Sequence, residues 1–86
     1  MARALTIQRT IVPPTERKRY LEKAKLRKAY YTRAKCSFWV FEDARVPGDF
    51  TEFAEAPDAE TLSAAHASAA DPAPGGSHLL TEVALT

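Results

Sequence analysis

The feature that most constrains the fold is a short run of bulky apolar residues, CSFWVF, at positions 36–41. Its aromatic and β-branched side chains are typical of a β-strand and show no helical period. Because successive side chains of a strand point to opposite faces, Phe38 and Val40 lie on one face while Trp39 and Phe41 lie on the other. A strand that is apolar on both faces must be covered from both sides.

The patterns before and after this strand predict three more strands and two helices. Alternating β-favouring residues start the chain, a long segment with one apolar stripe follows them, and a second, shorter helical stripe comes later. The predicted elements are strands at 4–12, 36–43, 49–56 and 78–86, helices at 16–34 and 58–70, and a loop at 71–77. This β-α-β-β-α-β order predicts one ferredoxin-like α+β domain over residues 1–86, in which a four-stranded antiparallel sheet carries both helices on one face.

Local signals support these boundaries. Pro13 and Pro14 end the first strand because they lack the amide hydrogens that pairing needs, and Thr15 is the expected N-cap of the first helix. Pro47-Gly48 predicts the turn between strands two and three, and Asp58 is the expected N-cap of the second helix.

Two basic residues, Lys23 and Arg27, fall among the apolar positions of the first helix. Two interpretations remain open. Their aliphatic stems cover the edge of the core, or one of them points into a polar cavity beneath the helix.

The small size of the chain favours association with a partner. With 86 residues, one cysteine and two histidines, the chain has neither an internal disulfide nor a recognised zinc-site spacing to strengthen its core. Helices on one face of the sheet leave Trp39 and Phe41 uncovered on the other, and exposed apolar patches usually mark contact sites. We therefore expect a homodimer formed through the face that carries Trp39 and Phe41.

The net charge of +1 conceals two halves of opposite sign. Residues 1–41 carry a net charge of +9 and residues 42–86 a net charge of −8, and nine of the twelve basic residues fall between Arg17 and Lys35. This basic helix could bind nucleic acid or another anion. The alternative is a solvated face that the acidic half neutralises. We favour the second interpretation because no nucleic-acid-binding motif accompanies the helix.

The sequence gives little indication of a membrane or of secretion. The first twelve residues contain Arg3 and Arg9 but no continuous apolar segment, and no later stretch approaches the roughly 20 apolar residues that span a bilayer. The expected location is the cytoplasm.

Two segments resemble the antibiotic biosynthesis monooxygenase family. EAPDAETLSAAH, from Glu55 to His66, is similar to the family's strand glutamate followed by a helix that carries a histidine. The segment at 17–43 resembles its long charged helix leading directly into a cysteine-started strand. The resemblance implies a dimeric α+β barrel and either cofactor-free oxidation of aromatic polyketides or haem degradation. The haem-degrading branch uses an asparagine, and this chain contains none.

The same resemblance suggests a site for a small aromatic ligand between helices and sheet, with no metal and no cofactor. A cofactor-free oxygenation must deprotonate a phenolic substrate, a task that suits His66, with Glu55 as its partner and Arg27 as the cation beside the phenolate. The residues expected to line the pocket are Tyr20, Tyr31 and Phe38.

A structural interpretation of the same residues stays open. His66 could pair with Glu55 simply to join helix to strand, which would raise the pKa of the imidazole. The protein would then be a non-catalytic dimerisation or ligand-binding module on the same fold. Cys36 is expected to be a small buried side chain and His78 to be exposed.

Overall fold

The computed structural model describes residues 2–69 and 78–85, and these residues form one sheet with two helices on one side of it. The elements are β1 (Ala4–Ile11), α1 (Arg17–Arg33), β2 (Ser37–Glu42), β3 (Asp49–Ala56), α2 (Ala59–Ala67) and β4 (His78–Thr81). This order confirms the predicted ferredoxin-like α+β fold. The loop expected at 71–77 lies outside the described residues.

The sheet has the order β2-β3-β1-β4 and is antiparallel throughout. The first strand of the chain is therefore central. It pairs with β3 from Ala4 opposite Ala56 to Ile11 opposite Asp49, and with β4 from Ala4 opposite Thr81 to Ile7 opposite His78. The two edges of the sheet are β2 and β4.

The core lies between the sheet and the two helices. It consists of small apolar side chains and a few large rings: Ala4, Tyr31, Cys36, Phe38, Ala54, Ala56, Leu62 and Ala65. Cys36 and Phe38 are buried whereas Trp39 and Phe41 are exposed, as the alternation along β2 predicts. Burial raises the pKa of the Cys36 thiol, which keeps it protonated in this core.

The hairpin between β2 and β3 closes against the end of β1. The amide of Val12 donates to the carbonyl oxygen of Gly48 at 2.8 Å, and a Cβ at position 48 would lie 2.4 Å from the carbonyl oxygen of Val12. Gly48 also has a φ of +89°, in the left-handed region that glycine adopts without strain. The turn predicted from Pro47-Gly48 thus depends on the glycine for both space and conformation.

The N-terminus of α1 differs from the expectation. A 3-10 turn at Pro14–Glu16 leads into the helix, so Glu16 occupies the cap position and makes no side-chain cap hydrogen bond. The predicted Thr15 cap is therefore wrong. Asp58 does cap α2, because its Oδ1 accepts from the amide of Thr61 at 2.7 Å.

The last strand is also shorter than expected. It ends at Thr81, and residues 82–85 follow without regular structure. His78, at the start of this strand, is exposed as expected. Within 2–69 and 78–85, no helix has both the length and the apolar character that a bilayer crossing requires.

Candidate functional site

A histidine held between two hydroxyl groups lies where α2 packs on α1 and β1. The Nδ1 of His66 is 2.8 Å from the Tyr31 hydroxyl, and its Nε2 is 2.8 Å from Oγ1 of Thr6. Thr6 and Tyr31 are buried, while His66 is half-buried. We call these three residues the histidine cluster. Its members come from three different elements, so the folded chain is needed to assemble it.

The protonation states within the histidine cluster follow from its burial. Burial lowers the pKa of His66, so the neutral ring is favoured. Burial also raises the pKa of Tyr31 to about 12, so its hydroxyl keeps its proton. A neutral imidazole has one N–H group and one bare nitrogen, so one hydroxyl accepts from the ring and the other donates to it. The bare nitrogen can take up a proton.

A second polar cluster lies beneath the middle of α1, where Glu52 of β3 faces the helix. Arg27 donates to this carboxylate through Nε at 2.9 Å and through a terminal nitrogen at 2.7 Å, and the Tyr20 hydroxyl donates to it at 2.7 Å. We call these residues the glutamate cluster. Burial and the bond to Glu52 raise the pKa of Tyr20. Of the two residues Lys23 and Arg27, it is therefore Arg27 that points into a polar environment beneath the helix.

Glu55 lies on the opposite face of the sheet from these clusters. Along β3 the alternating positions Phe50, Glu52, Ala54 and Ala56 are buried beneath the helices, so Glu55 points to the other side, where Arg3 lies 3.4 Å from its carboxylate. The expected hydrogen bond between Glu55 and His66 is wrong, because both ring nitrogens of His66 contact hydroxyl groups. The expected rise in the histidine pKa is also wrong, since burial lowers it.

The three residues expected to line a ligand pocket pack against other rings beneath α1. Phe38 also lines a cavity between α1 and β2, and Tyr20 lines one beside the N-terminus of α1. Tyr31 stacks on Phe38 with ring centroids 5.4 Å apart, and Tyr20 packs on Phe50 with centroids 4.5 Å apart. The guanidinium of Arg27 lies 5.6 Å from the centre of the Tyr20 ring. These contacts occupy the region between α1 and the sheet with side chains of the chain itself.

The face of the sheet without helices carries several exposed apolar side chains beside the ion pair of Arg3 and Glu55. Trp39 is 47% and Phe41 59% exposed, and the Phe41 ring packs edge-on against Phe53 of the neighbouring strand, with centroids 5.4 Å apart. Ile11 and Leu80 add exposed aliphatic surface on β1 and β4. We call this the open face. The expected homodimer would cover these side chains, which are exposed in a single copy of the chain.

Three of the surface cavities formed by described residues have linings that include neither His66 nor Arg27. One of about 480 Å³ lies between α1 and the edge strand β2, with Leu21, Ala24, Lys25 and Lys28 on one side and residues 38–41 on the other. We call it the edge groove. A second, of about 360 Å³, lies on the open face beside Trp39, and a third, of about 270 Å³, lies beside the N-terminus of α1.

Two residues of these clusters, Glu52 and Thr6, were not expected from the sequence. Glu52 could have been found, because alternation along β3 puts it on the same face as Phe50 and Ala54, and a carboxylate among apolar neighbours implies a partner. Thr6 gives no comparable signal, since threonine is common in strands. Within the described part of the chain, no group of three or more His, Cys, Asp or Glu side chains is placed to hold a metal ion.

Comparison with solved structures gives a match to a "Putative antibiotic biosynthesis monooxygenase from Nitrosomonas europaea" with a TM-score of 0.73. The two chains are 15% identical over 96% of this chain and 90% of the other. Neither the protein-family models nor the curated proteins that were compared with the chain give a match. The resemblance noted in the sequence is therefore confirmed at the level of the fold.

Proposed function

We propose that the protein is a small homodimeric monooxygenase-like protein that acts on an apolar aromatic ligand, with His66 as the proton acceptor. The observation that carries this proposal is the histidine cluster: a neutral, half-buried imidazole between two hydroxyl groups. A base that is unprotonated near neutral pH can accept a proton from a phenolic substrate, and the resulting electron-rich anion can reduce O₂ without a cofactor.

The cluster suggests how the proton would travel. Tyr31 keeps its own proton at neutral pH, so it can donate to Nδ1 of His66 while its oxygen takes the proton of a ligand hydroxyl. Thr6 would then accept from the N–H at Nε2 and hold the ring in the required tautomer. Arg27 and Glu55 have no part in this scheme, because Arg27 is bound to Glu52 and Glu55 faces the other side of the sheet.

A second candidate function is a non-catalytic dimeric module that binds a ligand or a partner. Two observations favour it: the charge of Arg27 is matched by Glu52, and rings fill the space under α1. Such a protein would use its open face for association, and the histidine cluster would join α2 to α1 and β1.

Oxygen consumption with a phenolic polycyclic substrate such as dithranol separates the two functions. We expect protein-dependent consumption in excess of autoxidation, and a His66→Gln variant should lower the rate by roughly 100-fold or more, the usual contribution of a general base. Tyr31→Phe tests the proposed relay, and Lys18→Gln, which alters an exposed residue of α1, is the matched control.

The thermal midpoint of each variant is measured alongside the rate. A purely structural histidine would lower the midpoint and leave oxygen consumption per folded molecule unchanged. If the wild-type protein gives no consumption above autoxidation with dithranol or with related anthrones and naphthols, the monooxygenase proposal fails and the binding module remains.

A further inference from the structure

The edge groove differs from the histidine cluster in position, lining and charge. It lies on the outer flank of α1 against β2, whereas His66 is held by Tyr31 and Thr6 beneath the helices. Its volume of about 480 Å³ falls within the range of small-molecule sites in proteins. The groove shares Trp39 and Phe41 with the open face, but its lining includes neither His66 nor Arg27, so the inference does not rest on the proposed catalysis.

The walls of the edge groove are largely apolar. Leu21 and Ala24 of α1 line one side and Phe38 and Val40 of β2 the other, and Trp39 lines the groove at the edge of the sheet. Since β2 is an edge strand, no further strand of the described chain closes the groove on that side. The groove can therefore receive the apolar body of a ligand from solvent.

Two lysines add positive charge to these walls. Lys25 and Lys28 are exposed, and no carboxylate of the described residues lies within salt-bridge distance of either ammonium group. The cations of the described salt bridges are arginines: Arg3, Arg9, Arg17 and Arg27. Within 2–69 and 78–85, the salt bridges thus engage arginines and include neither of the two lysines that line the groove.

We propose that the edge groove binds a small amphipathic carboxylate, with its apolar body against β2 and its carboxylate between Lys25 and Lys28. An ammonium group is a flexible point charge that attracts a carboxylate without requiring a fixed geometry. The apolar walls supply most of the affinity, because removing apolar surface from water is the dominant favourable term in binding. The charge selects for an acid over the corresponding alcohol.

The protein carries its own reporter for this site. Trp39 is the single tryptophan of the chain and lines the groove. Titration with decanoate at low salt, below its micellar concentration, should shift the Trp39 emission to shorter wavelength with saturation. Decanol provides the uncharged comparison and should bind more weakly.

Charge removal on α1 gives the matched variants. Lys25→Gln with Lys28→Gln should weaken decanoate binding by roughly two- to thirtyfold, the range for two exposed ion pairs, and leave decanol binding unchanged. Lys18→Gln with Lys23→Gln removes the same charge from the same helix at positions that do not line the groove, and should leave decanoate binding near the wild-type value.

Three results would overturn the proposal. Equal loss of decanoate binding in both double variants would mean that only the overall charge matters. An emission shift that follows dimer dissociation in sedimentation, and not ligand concentration, would mean that a second copy occupies the groove. Tight binding to phosphatidylglycerol vesicles without any response to monomeric decanoate would mean that α1 meets a lipid surface instead.

Discussion

The two faces of the sheet differ in whether their side chains find partners within the chain. The covered face contains polar and charged groups, and each is matched: Glu52 holds Arg27 and Tyr20, and His66 lies between two hydroxyls. Among the described residues, no buried side-chain nitrogen or oxygen is left without a hydrogen-bond partner. The open face is rich in apolar side chains, and several of them remain exposed.

This difference shows which face of the sheet a single copy of the chain can stabilise by itself. Polar groups can be buried at low cost when their partners are built into the same chain, and the covered face meets that condition. Exposed apolar surface is removed from water by a further layer, which the described chain does not supply on the open face. We therefore expect variants of the open face to alter association and variants of the covered face to alter the stability of the fold.

The largest effect is expected from Trp39→Glu on the open face. In a two-fold symmetric dimer each substitution occurs twice, and buried interface tryptophans often contribute about 2 kcal/mol or more each, so the dissociation constant should rise roughly a thousandfold. Sedimentation equilibrium at micromolar concentration measures the change. Leu26→Glu is the control, because Leu26 is equally apolar and 71% exposed but lies on α1. A wild-type monomer, or equal effects of the two variants, would contradict the dimer.

A somewhat smaller effect is expected from Glu52→Gln on the covered face. This change leaves the guanidinium of Arg27, whose side chain is 17% exposed, without its matching charge, and breaking a buried pair in this way costs about 3 kcal/mol. Urea denaturation monitored by circular dichroism gives the change in the free energy of unfolding. Glu82→Gln, which breaks an exposed pair with Arg3, should cost far less.

A double variant sharpens the same comparison. Replacing both members of the pair, Arg27→Met with Glu52→Leu, should recover much of the stability lost in Glu52→Gln, because no charge is then left buried. If the double variant is less stable than the single one, the glutamate cluster contributes through its geometry and not through charge balance.

The smallest effect is a pH dependence that arises from His66. Since the folded pKa lies below the unfolded value of about 6.5, the unfolded chain binds more protons between the two values. The free energy of unfolding should therefore fall as the pH decreases from about 7 through the folded pKa. His66→Gln should remove this dependence. A stability that increases on acidification over this range would show that the histidine is charged in the folded state.

Several parts of this structure could be predicted from local patterns. Alternation along residues 36–41 separated Phe38 from Trp39 correctly, and the Asp58 cap and the Pro47-Gly48 turn were correct because each depends on a few neighbouring residues. The Thr15 cap failed because Thr15 itself lies within a 3-10 turn, Pro14–Glu16, which moves the start of the helix to Arg17. The preference of threonine for the N-cap and the preference of this segment for a 3-10 turn compete here, and the local sequence alone does not determine the outcome.

The candidate site was harder to predict, for a physical reason. Glu52 and Glu55 are three positions apart on one strand, so they face opposite sides of the sheet, and the resemblance selected the one on the open side. The contact between His66 and Thr6 depends on how α2 is placed over β1, sixty positions earlier in the chain. Register between distant elements is set by packing of the whole core and leaves no short-range signal.

The central position of β1 has a consequence for how the chain folds during synthesis. β1 leaves the ribosome before both of its partners, β3, which begins at Asp49, and β4, which begins at His78. Its two hydrogen-bonding edges therefore stay without their native partners until β3 and then β4 have been made. Such long-range pairing slows folding and exposes strand edges to association with other chains. Among the strands of this sheet, the order of translation thus gives β1 the longest exposure to misassembly.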